Sequence, residues 1–251
     1  MNDSSAPVVA VRHLHFRYDN GAPEVLTDIT LDLAPGERHL LVGANGSGKT
    51  TLLRVIAGKH MVPREAVRLW DRPAFHDTAL PTCIAHIGGP FRVYVDITVE
   101  EMLERRSAAD PNRVQNLIDL LSVDVGWHMH RVSAGQRRRV QLLIELSQHK
   151  PLLLLDEVTS DLDVVVRADL LEFLKEETTK RGSSVLYATH VFDGLEDWAT
   201  HLTALEQGRI GRSAPLDNLH ELTRLRESGQ SSPLYRLVER WIRQGTLRTR
   251  G

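Results

Sequence analysis

The stretch Gly43-Ala44-Asn45-Gly46-Ser47-Gly48-Lys49-Thr50 constrains this chain more than any other. It fits G-x-x-x-x-G-K-[ST], and its flanks matter as much as its letters. The run Arg38-His39-Leu40-Leu41-Val42 before it reads as a buried strand, and "GKTTLLRVIAG" at its end reads as a helix. In that setting the glycines let successive backbone N–H groups turn inward around phosphates, and the helix N-terminus adds partial positive charge. Lys49 is placed to reach the β- and γ-phosphates of a nucleotide, and Thr50 offers its hydroxyl to Mg²⁺. The candidate nucleotide contacts are Gly43, Asn45, Gly46, Ser47, Gly48, Lys49, Thr50 and Thr51.

A second apolar run, Leu152 to Leu155, ends in Asp156 and Glu157. Alone, it reads as a core strand ending in solvated acids. Beside a phosphate loop, it delivers two carboxylates to the strand ends where open α/β sheets bind ligands. Asp156 then joins Thr50 as a candidate Mg²⁺ ligand, and Glu157 polarises the attacking water. A third buried strand, "SSVLYATH", ends at His190. By itself this is a structural histidine; third in this order, its neutral imidazole can hydrogen-bond the γ-phosphate and orient the water. The remaining histidines read as ordinary. His13/His15 and His128/His130 stand two residues apart, but no third ligand in the sequence supports a metal site.

Strands alternating with helices mean a parallel sheet covered on both faces, so the fold class is α/β. Residues 8–33 alternate in short pieces broken by "DNGAP" and "APGE", an antiparallel β region. Thr98 to Leu146 reads as helical, with Asp110-Pro111 as a helix start. Leu216, Leu219, Leu222 and Leu225 stand at helical spacing, followed by the polar break "ESGQSS" and a stripe of Leu234, Leu237, Val238, Trp241 and Ile242. That stripe reads as a helix packed on its own domain, and "RTRG" as a frayed end.

Composition narrows the function classes. Lys plus Arg is 31 and Asp plus Glu is 33, so no global field draws in nucleic acid or an anionic membrane. One cysteine, Cys83, allows no intrachain disulfide and suits a reducing compartment. No secretory signal or membrane-length apolar run is visible, so no membrane insertion is expected. The arginines at 137–139 fan over roughly 200° of a helix and cannot all face one duplex. They read as a solvated helix start with local ion pairs, on a helix whose buried face is Val140, Leu143, Ile144 and Ser147.

Together these residues resemble the nucleotide-binding domain of the ATP-binding cassette (ABC) family, over nearly the whole chain. "FRYDNGAPEVLTDITLDLAPGE" resembles the family's opening, which implies Tyr18 as the aromatic that stacks on adenine. Val132-Ser133-Ala134-Gly135-Gln136 resembles the signature, usually L-S-G-G-Q, and implies nucleotide contacts from Ser133, Gly135 and Gln136. Ser160-Asp161-Leu162-Asp163 resembles the D-loop, adding Asp163, and His190 matches the switch histidine. Gly89 stands where the family usually has the Q-loop glutamine, which helps bind Mg²⁺ and links the site to a transmembrane partner. The resemblance implies a P-loop NTPase of ABC type: a nucleotide-binding domain at 1–212, its helical subdomain at about 90–147, and a C-terminal helical extension at 213–251.

Within the family, "GWHMHRVSAGQRRRVQL", "SVLYATHVFDGLEDW" and "SSPLYRLVERWIRQG" are similar to a subgroup of soluble, non-intrinsic ABC ATPases, whose fungal member is associated with the Ccr–Not complex. The resemblance implies ATP and Mg²⁺ as cofactors and ATP hydrolysis as the reaction. It also implies head-to-tail pairing, as a homodimer or with another ABC domain, in which Ser133 and Gly135 meet the γ-phosphate from across the interface. A multiprotein regulatory complex in the cytoplasm, with the nucleus left open, is the implied partner. The alternatives are the ATPase subunit of a membrane transporter with a separate transmembrane chain, and a nucleotide-gated binding module with little hydrolysis.

Overall fold

The computed structural model describes residues 6–106, 110–229 and 231–248. The N-terminal alternation folds as an antiparallel pair, β1 (Val9–Phe16) and β2 (Leu26–Leu33). Val9, Val11, Leu14 and Phe16 point inward from β1, and Leu26, Ile29, Leu31 and Leu33 from β2. The register shifts between Val11 and Leu14, where His13 takes a positive φ of 44°, so both stretches keep their apolar side chains inside.

A second sheet holds the site. β3 (Arg38–Val42) leads through the glycine loop into α1 (Lys49–Ile56). The short strands β4 (Val67–Leu69) and β5 (Arg72–Pro73) return to the first sheet, giving the order β2-β1-β4-β5. Then follow β6 (Ile84–Gly88), α2 (Val99–Glu104), α3 (Pro111–Leu120), α4 (Ala134–Leu146), β7 (Leu152–Asp156), α5 (Val164–Arg181), β8 (Ser184–Ala188), β9 (His201–Glu206), β10 (Arg209–Pro215), α6 (His220–Glu227) and α7 (Pro233–Arg248). The six-stranded order is β10-β9-β3-β8-β7-β6; β6, β7, β8, β3 and β9 pair in parallel, and β10 is antiparallel to β9. The α/β class read from the alternation of strands and helices is the one observed.

Several local expectations changed. β4, β5, β9 and β10 carry no apolar run of strand length, and pairing with neighbouring strands defines them. The leucine series is not one helix: Leu216 lies in a 3₁₀ turn and Leu219 caps α6 without a side-chain bond. Leu234, Leu237, Val238 and Trp241 of α7 are buried against the main core. Of the segment "RTRG", residues 249–251 lie outside the described residues.

Each helix of the middle segment has a chemical start. Thr98 and Glu101 form a capping box on α2, Asp110 caps α3 with Pro111 behind it, and Ser133 with Gln136 caps α4. α3 is tied to α5 by a buried bidentate pair, Arg113 Nη1 to Glu177 Oε1 at 2.7 Å and Nη2 to Oε2 at 2.8 Å. Burial pushes the Glu177 carboxyl up, but the Arg113 hydrogen bonds and charge outweigh it, so its pKa is lowered.

Candidate functional site

β3, β8 and β7 are adjacent, and their carboxyl ends carry the glycine loop, His190 and the Asp156–Glu157 pair. Parallel register aligns them: Leu41 pairs with Ala188, and Ala188 with Asp156. The loop needs its glycines. Gly43 has φ 156°, and a Cβ there would collide with the Leu205 carbonyl oxygen. Gly48 caps α1 at φ 105° with no side-chain cap bond, which leaves the first-turn N–H groups directed at the loop.

Lys49 is buried and bends back, its Nζ donating to Gly43 O at 2.9 Å and Ala44 O at 3.1 Å. Burial pulls its pKa down, while the nearby Glu157 and Asp156 charges act the other way. A cavity of about 410 Å³ is lined by Val25, Asn45, Gly46, Gly48, Lys49, Thr50, Thr51, Asp156 and Glu157. A neighbouring cavity of about 480 Å³ lies on the loop's other side, walled by Leu205, Val238 and Trp241. Glu206 and Arg209 also line it, but Asp156, Glu157, Lys49 and Thr50 do not, so the candidate cation ligands and the loop lysine meet in the first cavity.

Asp156 fits a cation ligand. It is 6% exposed, and its Oδ1 is buried without a hydrogen-bond partner. Burial raises its pKa; a hydrogen bond from Thr50 lowers it and the Glu157 charge raises it further. A buried acceptor of this kind, beside a threonine hydroxyl, suits a hard divalent ion taking oxygen ligands. Next to it Glu157 sits at φ 54°, its backbone N–H held by Ala188 O at 2.9 Å. His190 Nδ1 lies 2.7 Å from Glu157 Oε2. Tyr18 stands at the rim, 47% exposed, its hydroxyl 2.9 Å from Thr51 Oγ1 and its ring edge-on to Phe16 and His60.

Ser133, Gly135, Gln136 and Asp163 are not brought into this cavity. Ser133 Oγ accepts from Gln136 N at 3.2 Å, and Gln136 Oε1 accepts from Ser133 N at 2.9 Å. Asp163 caps α5, accepting from Val165 N and Val166 N. The arginine run makes the expected ion pairs but is half-buried, and its ion-pair partners lie beyond its own helix. Arg139 Nη2 pairs with Asp163 Oδ2 at 2.5 Å, Arg138 Nη1 donates to Gln141 Oε1 at 2.7 Å and to Gly89 O at 3.3 Å, and Arg137 donates to Met129 O at 2.9 Å. Two of these residues therefore tie α4 to the D-loop and to the end of β6. The run itself was visible in the sequence; its partners, up to 49 residues away, were not. Gly88 was also missed: a Cβ there would lie 2.5 Å from Asp156 Cβ, so β6 approaches β7 at the acid.

Comparison with known proteins agrees with this geometry. The family described as "ABC transporter" matches residues 26–160. ABC transporter I family member 21 of Arabidopsis thaliana is 46% identical, covering 95% of this chain and 86% of that protein. CCR4-associated factor 16 of Saccharomyces cerevisiae is 37% identical, covering 84% of this chain and 78% of that protein. A solved structure described as the ATP-binding subunit of an ABC transporter matches with a TM-score of 0.75 at 25% identity, covering 87% of this chain and 94% of that one.

Proposed function

The chain belongs to the ABC transporter family and is an ATPase, and from that premise we propose that it works as a nucleotide-gated pair of cassettes serving a regulatory complex rather than a transport channel. The observation that carries the pairing is the incompleteness of the cradle: the cavity with Lys49, Thr50, Asp156 and Glu157 has no lining residue from the signature. Ser133 and Gly135, at the exposed N-terminus of α4, would close the cradle of a second copy or of another ABC domain. ATP bound between them would favour the closed pair, and hydrolysis would release it. Thr50 and Asp156 would hold Mg²⁺, which neutralises phosphate charge when bound. Lys49 would hold the β- and γ-phosphates, Tyr18 would stack on the base, Glu157 would take a proton from water and His190 would orient it.

The regulatory reading rests on two supports. The yeast relative carries the name CCR4-associated factor, and Gly89, whose carbonyl accepts from Arg138, offers no side chain where family members place a coupling glutamine. No helix among the described residues is long and apolar enough to cross a membrane. Affinity purification of the Glu157→Gln chain with ATP tests the proposal. Recovery of subunits of a Ccr–Not-like transcription or mRNA-regulating complex supports it; recovery of an integral membrane transport protein would replace it with the transporter reading.

A further inference from the structure

His128 and His130 had no third ligand in the sequence, and the fold supplies one. Asp96 Oδ1 lies 2.8 Å from His128 Nδ1 and 2.7 Å from His130 Nδ1, and the three ligand atoms all fall within 4.8 Å of one another. We infer that Asp96, His128 and His130 form a binding site for a divalent transition-metal cation of the zinc type, separate from the Mg²⁺ of the nucleotide cradle.

The scaffold explains the two-residue spacing. Thr98 pairs with His128 in an antiparallel bridge, and backbone bonds join Met129 N to Ile97 O at 3.0 Å and Val99 N to Trp127 O at 3.1 Å. Along extended backbone, side chains alternate between faces. Ile97 and Met129 turn into the core, 6% and 0% exposed. Asp96, His128 and His130 therefore share the opposite, solvent face, held together by the same ladder. The histidine ring centroids are 5.8 Å apart.

The donor set selects the metal. Two imidazole nitrogens and one carboxylate oxygen suit Zn²⁺ and its neighbours, whereas Mg²⁺ prefers oxygen alone. Tetrahedral ligation at bonds of about 2.0 Å places ligand atoms about 3.3 Å apart, so each present nitrogen–oxygen contact must open by about half an ångström. Exposed side chains can do that. One contact must yield: Arg131 Nε donates to His130 Nε2 at 3.0 Å, which leaves the imidazole proton on Nδ1. Ligation through Nδ1 moves that proton to Nε2 and turns the Arg131 side chain away. Because His130 lies two residues before the signature, a bound cation would fasten the turn that feeds α4.

Calorimetric titration of Zn²⁺ into the full chain, in millimolar Mg²⁺ at neutral pH, tests the inference. The wild type should bind one more Zn²⁺ than the His128→Gln/His130→Gln double variant. Asp96→Asn should weaken that step at least about tenfold. Co²⁺ in the same site should give a visible absorption band that the double variant lacks. His13→Gln, which breaks the exposed pair with Asp28, should leave the count unchanged. Equal Zn²⁺ counts and affinities in the wild type and the double variant, displacement by Mg²⁺, or loss of the step only in His13→Gln would each overturn the assignment. Circular dichroism without metal separates these outcomes from misfolding, and Asp96→Asn, nearly isosteric, stands in if the double variant fails to fold.

Discussion

His190 Nδ1 and Glu157 Oε2 lie 2.7 Å apart, bridging the carboxyl ends of neighbouring strands β8 and β7. The contact comes from register: Asp156 is opposite Ala188, so the residues that follow each strand meet over the same point. Glu157 also accepts from His190 N at 3.3 Å. The ring and the backbone of His190 thus both hold the same oxygen, at the mouth of the cavity that contains Lys49 and Thr50.

If Glu157 is the general base, Glu157→Gln keeps the shape and removes the basicity. Phosphate release should fall at least about a hundredfold, the lower range of what a positioned acid–base group contributes. ATP binding should stay within a few-fold of the wild type, and light scattering should show an ATP-stabilised dimer. Equal turnover in the two proteins would remove Glu157 from the reaction.

The signature prediction must respect the cap. Ser133 closes a capping box with Gln136, so a substitution that loses its oxygen also costs about 1 kcal/mol of helix stability. Ser133→Asp keeps a good N-cap and places a negative charge where a partner's γ-phosphate is expected. ATP-driven dimerisation should be lost while monomer affinity for ATP and thermal stability stay close to wild type. A dimer that survives this change would mean that Ser133 does not face the phosphate of another chain.

How far the site was legible follows from distance along the chain. Strand, loop and helix around Lys49 are contiguous, and Asp156, Glu157 and His190 lie at or just past the ends of buried strands, so sequence order alone grouped them. The α/β class followed from the same alternation. Contacts between distant parts of the chain were illegible. Arg139 reaches Asp163 and Arg138 reaches Gly89, yet the arginines looked like helix surface because helical spacing describes one helix and not what packs on it. Asp96 was invisible beside His128 for the same reason, since a ladder between residues 32 apart leaves no local pattern. The short strand β4 exists because β1 offers it a partner, and β5 because β4 does.

The Arg113–Glu177 pair carries a stability prediction. Both side chains are almost fully buried, at 4% and 3% exposure, and join α3 to α5. Arg113→Met leaves Glu177 facing only His149 at 3.2 Å and Arg181 at 3.3 Å. The loss should be about 3 kcal/mol by urea denaturation, the low end for an uncompensated buried charge because those neighbours remain. Adding Glu177→Leu should recover part of it, since the stranded carboxylate is then gone. A double variant less stable than the single one would contradict this account.

His86 sets a pH dependence with a definite sign. Its Nδ1 lies 2.5 Å from Lys59 Nζ, which donates to the neutral ring. Burial, then the positive charges of Lys59 and Arg54, push its pKa down to about 4, from 6.5 in an unperturbed chain. Between those values the unfolded chain takes up a proton that the folded chain refuses, so acidification favours unfolding. Stability from this group is full above pH 6.5, declines as the pH falls to about 4, and is flat below. The lowered Glu177 pKa adds a separate acid loss that starts below its ordinary value of 4.5, so the comparison must be made against a variant. His86→Gln keeps an acceptor for Lys59 and removes the titrating ring. Urea midpoints across the window should drop more steeply for the wild type, by on the order of 2 kcal/mol in total. Parallel curves for the two proteins would show that His86 is not held neutral in the fold.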